Sequence, residues 1–170
     1  LVTWTITWPD GKVNFAYTIA SDNTFSDRGT GIGTYDAVND VWTPLDGRIE
    51  NERTGFGSIA RFKDNGIVVA AHTANDLCIY IVEDKDNMTA NSVPHSLAVG
   101  SDAYTHPAVM TSGENRDIIH MAAAKFGAYE GDVYEPIRYW RSSDGGQTWD
   151  KEYVELPFLT QEYGINWGTN

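Results

Sequence analysis

Short apolar runs recur along this chain at a nearly constant interval. NFAYTIA starts at Asn14, GIVVAAHT at Gly66 and DIIHMAAA at Asp117, steps of 52 and 51 residues. A second series keeps the same beat: TGFGSIARF and YTHPAVMTS place Ser58 and Ala108 fifty residues apart. A third does too. Trp42 in NDVWTPL and Trp149 in QTWDKEY each follow a polar turn and stand 107 residues apart, about two such steps. No long segment carries helical periodicity. VTWTITW, FGSIARF, LCIYIVE, IRYWRS and KEYVEL are short, β-rich runs, and PDG, KDNG, GEN and SDGG read as turns between runs. Each unit thus holds an opening strand, an apolar strand, a third strand and an outer strand after a hairpin.

Four strands in about 40 to 50 residues is the size of one propeller blade. The expected fold is all-β: part of a β-propeller, with about three four-stranded antiparallel blades. The repeat divides the chain into units at 1–52, 53–100 and 101–157, with 158–170 leading into a further blade. Closed propellers typically need four or more blades. Three leave a wedge with two sheet faces to be buried, so the chain is expected to be part of a longer protein, the remainder of the propeller being its first partner. It begins with Leu and carries no signal peptide ahead of it, as a processed chain or an internal piece would. With 41% hydrophobic residues it is no disordered segment. A net charge of -12 without a basic stripe argues against nucleic acid and anionic membrane surfaces, and serves solubility. No apolar run reaches membrane-spanning length. The one cysteine, Cys78 in LCIYIV, reads as a small core residue.

Residues 142–149, SSDGGQTW, fit the pattern S-x-D-x-G-x-T-W through Ser142, Asp144, Gly146, Thr148 and Trp149. The residue types suit a stapled hairpin. An Asp accepts hydrogen bonds from turn N–H groups, Gly145 and Gly146 permit positive φ, and a Trp folded onto the turn buries a large apolar area. This string resembles the Asp-box, or bacterial neuraminidase repeat. TFSDRGTGIGTYD, RIENERTGFGSIARF and YWRSSDGGQTWDKEYVELP extend the likeness to secreted bacterial sialidase-like propellers, often exported by type IX secretion, over roughly residues 20–157. The resemblance implies a propeller fold, an extracellular or cell-surface location, and an Asp-box on the blade periphery with a structural role. A sialidase further requires three convergent arginines, an acid, and a Tyr nucleophile paired with a Glu. The usual R-I-P string of the first arginine is absent; GRIEN and EPIRYW are the nearest strings.

Of the seven arginines (Arg28, Arg48, Arg53, Arg61, Arg116, Arg138 and Arg141), Arg28 and Arg53 stand out, because each precedes a Gly-containing turn, DRGTG and ERTGFG. His106, before Pro107 at a loop-to-strand junction, is the third ligand-facing candidate. His72 and His120 end or interrupt apolar runs and read as packing residues at equivalent repeat positions, without metal-ligand spacing. EDKDNMT lacks the Gly and distal Glu of a calcium loop and reads as a solvated hairpin tip. No metal and no cofactor is expected. Tyr129, Tyr134 and Trp140 are either a carbohydrate-stacking platform or ordinary packing. Three readings follow. One is a noncatalytic binding or surface-display propeller, its partner a glycan or a surface protein. The second is a glycoside hydrolase of exo-sialidase type, completed by residues outside this chain. The third is a structural element of a cell-surface assembly.

Overall fold

The computed structural model describes residues 4–74, 76–88, 95–97, 104–125 and 137–157. Among the described residues twelve strands form three four-stranded antiparallel sheets, the blades of a β-propeller. Sheet A is β1 (Thr5–Thr7), β2 (Lys12–Ile19), β3 (Gly29–Asp36) and β4 (Val41–Pro44). Sheet B is β5 (Gly55–Phe62), β6 (Gly66–His72), β7 (Leu77–Val82) and β8 (His95–Leu97). Sheet C is β9 (Tyr104–Ser112), β10 (Ile118–Lys125), β11 (Ile137–Ser142) and β12 (Lys151–Glu155). Strands pair strictly in chain order within each sheet, as hairpin-connected strands do. The repeating apolar runs are β2, β6 and β10, the second strand of each sheet. The described residues contain no helix long and apolar enough to cross a membrane.

Sheet B lies between the other two, and its sequence shows why. Successive side chains on a strand point to opposite faces, yet every residue of β6 is buried. Ile59, Ile67, Val69, Ala71, Cys78, Tyr80 and Val82 face sheet A and pack with Ile6, Trp8, Ala16 and Ile32. Ala60, Phe62, Val68, Ala70, Leu77 and Ile79 face sheet C and pack with Val109, Ile119, Met121, Ala123 and Trp140. An unbroken apolar run is what a strand covered on both faces requires. The first strand of sheet B, β5, contacts β1 on one side and β9 on the other, so the sheets converge along that edge. The outer strand β4, by contrast, is exposed throughout.

Several polar groups between sheets A and B pair with one another. The Trp8 indole Nε1 donates to Asn14 Oδ1 at 2.5 Å, and Asn14 Nδ2 donates to Thr34 Oγ1 at 2.6 Å. The buried Lys85 ammonium bridges Asp10 at 2.8 Å and Asp86 at 2.9 Å. The reading of EDKDNMT as a solvated tip holds for the exposed Glu83, Asp86 and Asn87 but not for Lys85, which is sealed against sheet A, where Asp10 and the Trp8 ring, 5.3 Å away, meet its charge. Trp140 is likewise a core residue at 1% exposure, opposite Met121 on the inner face of sheet C, and so no stacking platform. Tyr129 and Tyr134 lie outside the described residues.

Candidate functional site

The first strands of sheets B and C share one irregularity. Opposite His72 and Ala70, β5 spans Gly55 to Ser58, one residue more than its partner. Opposite Ala124 and Ala122, β9 spans Thr105 to Ala108, again one residue more. Both are β-bulges, which re-aim a side chain and sharpen the local twist. At each bulge a non-glycine residue takes left-handed backbone: Phe56 at φ 51° and His106 at φ 52°. Such a conformation costs on the order of 1 kcal/mol or more in a bulky residue. It recurs at the same repeat position, fifty residues on. The structure keeps two aromatic side chains at these positions in spite of that cost.

The bulges bring the two rings together at the start of the converging strands. Phe56 and His106 stack with centroids 4.4 Å apart, and the His72 ring lies 5.6 Å from Phe56, nearly parallel. From sheet A the Arg28 guanidinium carbon sits 5.6 Å from the Phe56 ring centre, within cation–π range. Gly55 makes that approach possible, since a Cβ there would stand 2.8 Å from Arg28 Nε. Arg28 is anchored by two bonds to Thr54: its Nε donates to the Thr54 carbonyl at 3.1 Å, and its own carbonyl accepts from Thr54 N–H at 3.0 Å. Phe56 also borders a cavity of about 190 Å³ lined by Trp4, Ala16, Tyr17, Thr18 and Gly57. Trp4 and Phe56 are 60% and 44% exposed, large apolar surface left open to solvent. Trp4, Phe56 and His106 thus contribute one ring from the start of each blade.

The electrostatics are one-sided. His72 is 9% exposed, and its Nδ1 is buried without a hydrogen-bond partner among the described residues. Burial first, then the charges of Arg28, His106 and Arg53, pulls its pKa down to about 4. Burial and the neighbouring Arg53 lower the pKa of Arg28 too. Three candidates from the sequence therefore share one neighbourhood: Arg28 and His106 flank Phe56, and Arg53 is within electrostatic reach of Arg28 and His72. The histidines 72 and 120 do not occupy equivalent positions, because His72 closes β6 while His120 is the third residue of β10. His120 instead bridges Ser112 Oγ at 2.6 Å and Tyr139 Oη at 2.7 Å on the far face of sheet C. Sequence reading missed Trp4, Phe56 and the role of His72. A signal for the first two was present, since Trp4, Phe56 and His106 are spaced by 52 and 50 residues.

The groups a sialidase requires are not assembled here among the described residues. Arg48 Nη1 donates to the carbonyls of Asp27 and Arg28, which occupies it with backbone. Tyr80 Oη stands 3.4 Å from Glu52 Oε1, but that phenol is 2% exposed. Burial, then Cys78 and Glu52, raises its pKa, the opposite of what a nucleophile needs.

The SSDGGQTW hairpin lies at the other end of the sheets. Asp144 Oδ1 accepts from Thr148 N–H at 2.9 Å and from Ser142 Oγ at 2.8 Å, and Oδ2 accepts from Thr148 Oγ1 at 2.6 Å. Gly146 N–H donates to the buried Ser142 Oγ at 2.8 Å. Gly145 and Gly146 take φ of 74° and 90°, which glycine adopts freely. Trp149 packs on the core between sheets B and C. A Cβ at Gly145 would come within 3.2 Å of Phe62, the last residue of β5, whereas Phe56 stands near its first. At 3.3 Å per residue the hairpin and the ring cluster are roughly 20 Å apart.

No protein-family model matches the chain, and no curated protein matches it. Among solved structures it is similar to the crystal structure of an endo-arabinase from Bacteroides thetaiotaomicron VPI-5482, with a TM-score of 0.60 at 17% sequence identity. The match covers 89% of this chain and 60% of that one, so the chain spans about three fifths of the length of the protein it resembles. At that identity the likeness establishes a shared fold.

Proposed function

We propose that this chain is the glycan-binding part of a secreted, sialidase-like Asp-box propeller, acting at the cell surface or outside it as a noncatalytic binding or display module. The observation that carries the reading is the pair of matched bulges, which set the Phe56 and His106 rings together at the strand starts, with Phe56 bordering a cavity lined by Trp4 and Thr18. Sugar rings present apolar C–H faces, and exposed aromatic rings in a concavity complement them. The Asp-box assignment is supported by the Asp144 hydrogen bonds within one hairpin. Carbohydrate as the ligand class also agrees with the endo-arabinase likeness, and export by type IX secretion follows from the family resemblance alone. A hydrolase completed by further blades is the competing reading, favoured by the two arginines at the site. A printed glycan array probed with the 170-residue chain and with Phe56→Gly tests the binding role. Phe56→Gly removes the ring and suits the left-handed backbone, so it should keep the fold. We expect binding to a restricted glycan set, weakened at least tenfold by the substitution. A blank array, or equal binding by Phe56→Gly, contradicts it. Hydrolysis of a fluorogenic sialoside by the chain alone would put the enzyme reading first.

A further inference from the structure

Sheet A has a second face, turned away from sheet B. Ala16 and Ile32 pack toward sheet B, so their neighbours on β2 and β3 point the other way. That face carries two cross-strand rows, Phe15–Gly33–Pro44 and Val13–Tyr35–Trp42, with Tyr17 opposite Gly31. None of these residues is charged, in a chain of net charge -12. The rings form a floor and a step. Phe15 and Tyr17 lie over the β3 backbone with centroids 5.8 Å apart, where a Cβ at Gly31 or Gly33 would collide with them. Trp42 meets Phe15 at 5.3 Å and an angle of 70°, and stacks on Tyr35 at 4.3 Å. At the rim Tyr35 Oη donates to Asp40 Oδ1 at 3.1 Å, and Trp42 is 62% exposed. The faces by which sheet B packs on its neighbours are built differently, from Ile67, Val69 and Ala71 on one side of β6 and Val68 and Ala70 on the other. Tyr17 also lines the cavity beside Phe56, so the floor adjoins that site.

Resting on the glycan-binding reading above, we propose that the ligand is a long, uncharged, ribbon-like polysaccharide of the β-1,4-linked type. Its chain runs from the cavity beside Phe56 over Tyr17 and Phe15 and lies against Trp42. A β-1,4-linked chain is extended and shows apolar C–H faces along its length, which aromatic rings complement. A face without charged side chains suits a ligand without charges, because an ionic group laid there would lose hydration and find no partner. Each further sugar within reach of the rings adds contact to a segment already bound, so affinity rises with chain length.

The test is isothermal titration calorimetry on the 170-residue chain with cellobiose, cellohexaose and maltohexaose, the last being an α-linked chain that coils instead of extending. We expect cellohexaose to bind at least about tenfold more tightly than cellobiose, and maltohexaose to fall short of it. The gain should persist from 50 to 500 mM NaCl, since the contact holds no charge for salt to screen. Trp42→Ala, at an exposed position, should return cellohexaose to the affinity of cellobiose and leave cellobiose unchanged. Trp42→Tyr, which keeps a ring, should restore the gain, and Phe56→Gly should weaken both sugars alike. No gain from cellobiose to cellohexaose overturns the proposal, keeps the glycan reading, and leaves the face to a further blade. So does a gain that survives Trp42→Ala. A gain lost in salt, or matched by maltohexaose, overturns the uncharged ribbon as ligand. A chain that is dimeric by light scattering and becomes monomeric as Trp42→Ala assigns the face to a second copy and overturns the proposal too. Binding of none of the three overturns it, and with a blank glycan array removes the glycan reading as well.

Discussion

His72 is the residue whose chemistry depends most on its surroundings. It closes an apolar strand, its Nδ1 is sealed off, and Arg28, His106 and Arg53 act on it from neighbouring strands and loops. Its pKa falls from 6.5 to about 4 on folding. The neutral form is thus favoured in the native state, while the unfolded chain takes up the proton at higher pH. The resulting stabilisation is complete above about pH 6.5 and is lost progressively as pH falls toward about 4, on the order of 3 kcal/mol in all. His72→Gln should flatten that window in urea titrations carried out at a series of pH values. An unchanged slope between pH 6.5 and 4 would show that His72 does not titrate as its burial requires. The same residue shows why part of the site was hidden in the sequence. Arg28, Arg53 and His106 are visible singly, as polar residues beside turns, but what gathers them is the packing of sheets A, B and C. His72 joins them because its register opposite Gly55 places it next to Phe56, and no local pattern encodes that register.

At the scale of elements, two devices with different jobs sit at opposite ends of the sheets. The bulges in β5 and β9 aim rings, and the β11–β12 hairpin holds itself together. Asp144 is kept ionised to about pH 2, first by the Thr148 hydroxyl and then by the Thr148 N–H. Its contribution is therefore present above the ordinary carboxylate range and lost as pH falls through about 2. Ser142 is the buried member, serving both Gly146 N–H and Asp144. Ser142→Ala should cost about 1–2 kcal/mol, because a buried donor loses its acceptor, and it should leave glycan affinity unchanged. Thermal denaturation and the glycan array read the two effects separately. A loss of binding without a loss of stability would place the hairpin in the site. The strands themselves were legible: alternation marks half-covered strands, and the unbroken run GIVVAAH marks one covered on both sides. The bulges were not, since an inserted residue is defined by its partner strand and leaves only the repeat of Phe56 and His106 as a trace.

At the scale of the molecule, three blades converge along their first strands, and the middle one is buried by its neighbours. Sheet A presents Phe15, Tyr17, Tyr35 and Trp42 on its other face, with Tyr35 and Trp42 stacked at 4.3 Å. The core of such a repeat array is assembled by stacking, so the central sheet is where truncation of a side chain costs most. Ile79→Ala, at a fully buried position between sheets B and C, should destabilise by about 2–5 kcal/mol. Val41→Ala on the exposed β4 should stay within about 0.5 kcal/mol of the parent chain. Equal effects in urea denaturation would argue against a structure organised around sheet B. The central functional claim is that ligand binds where the first strands converge and away from the Asp144 hairpin. The most direct measurement is an NMR titration of the ¹⁵N-labelled chain with the strongest-binding array glycan, following backbone amide shifts. The account predicts that Thr5, Phe56, Gly57 and His106 move while Gly146 and Thr148 do not. Movement confined to the hairpin, or to the outer strands β4 and β12, would contradict it.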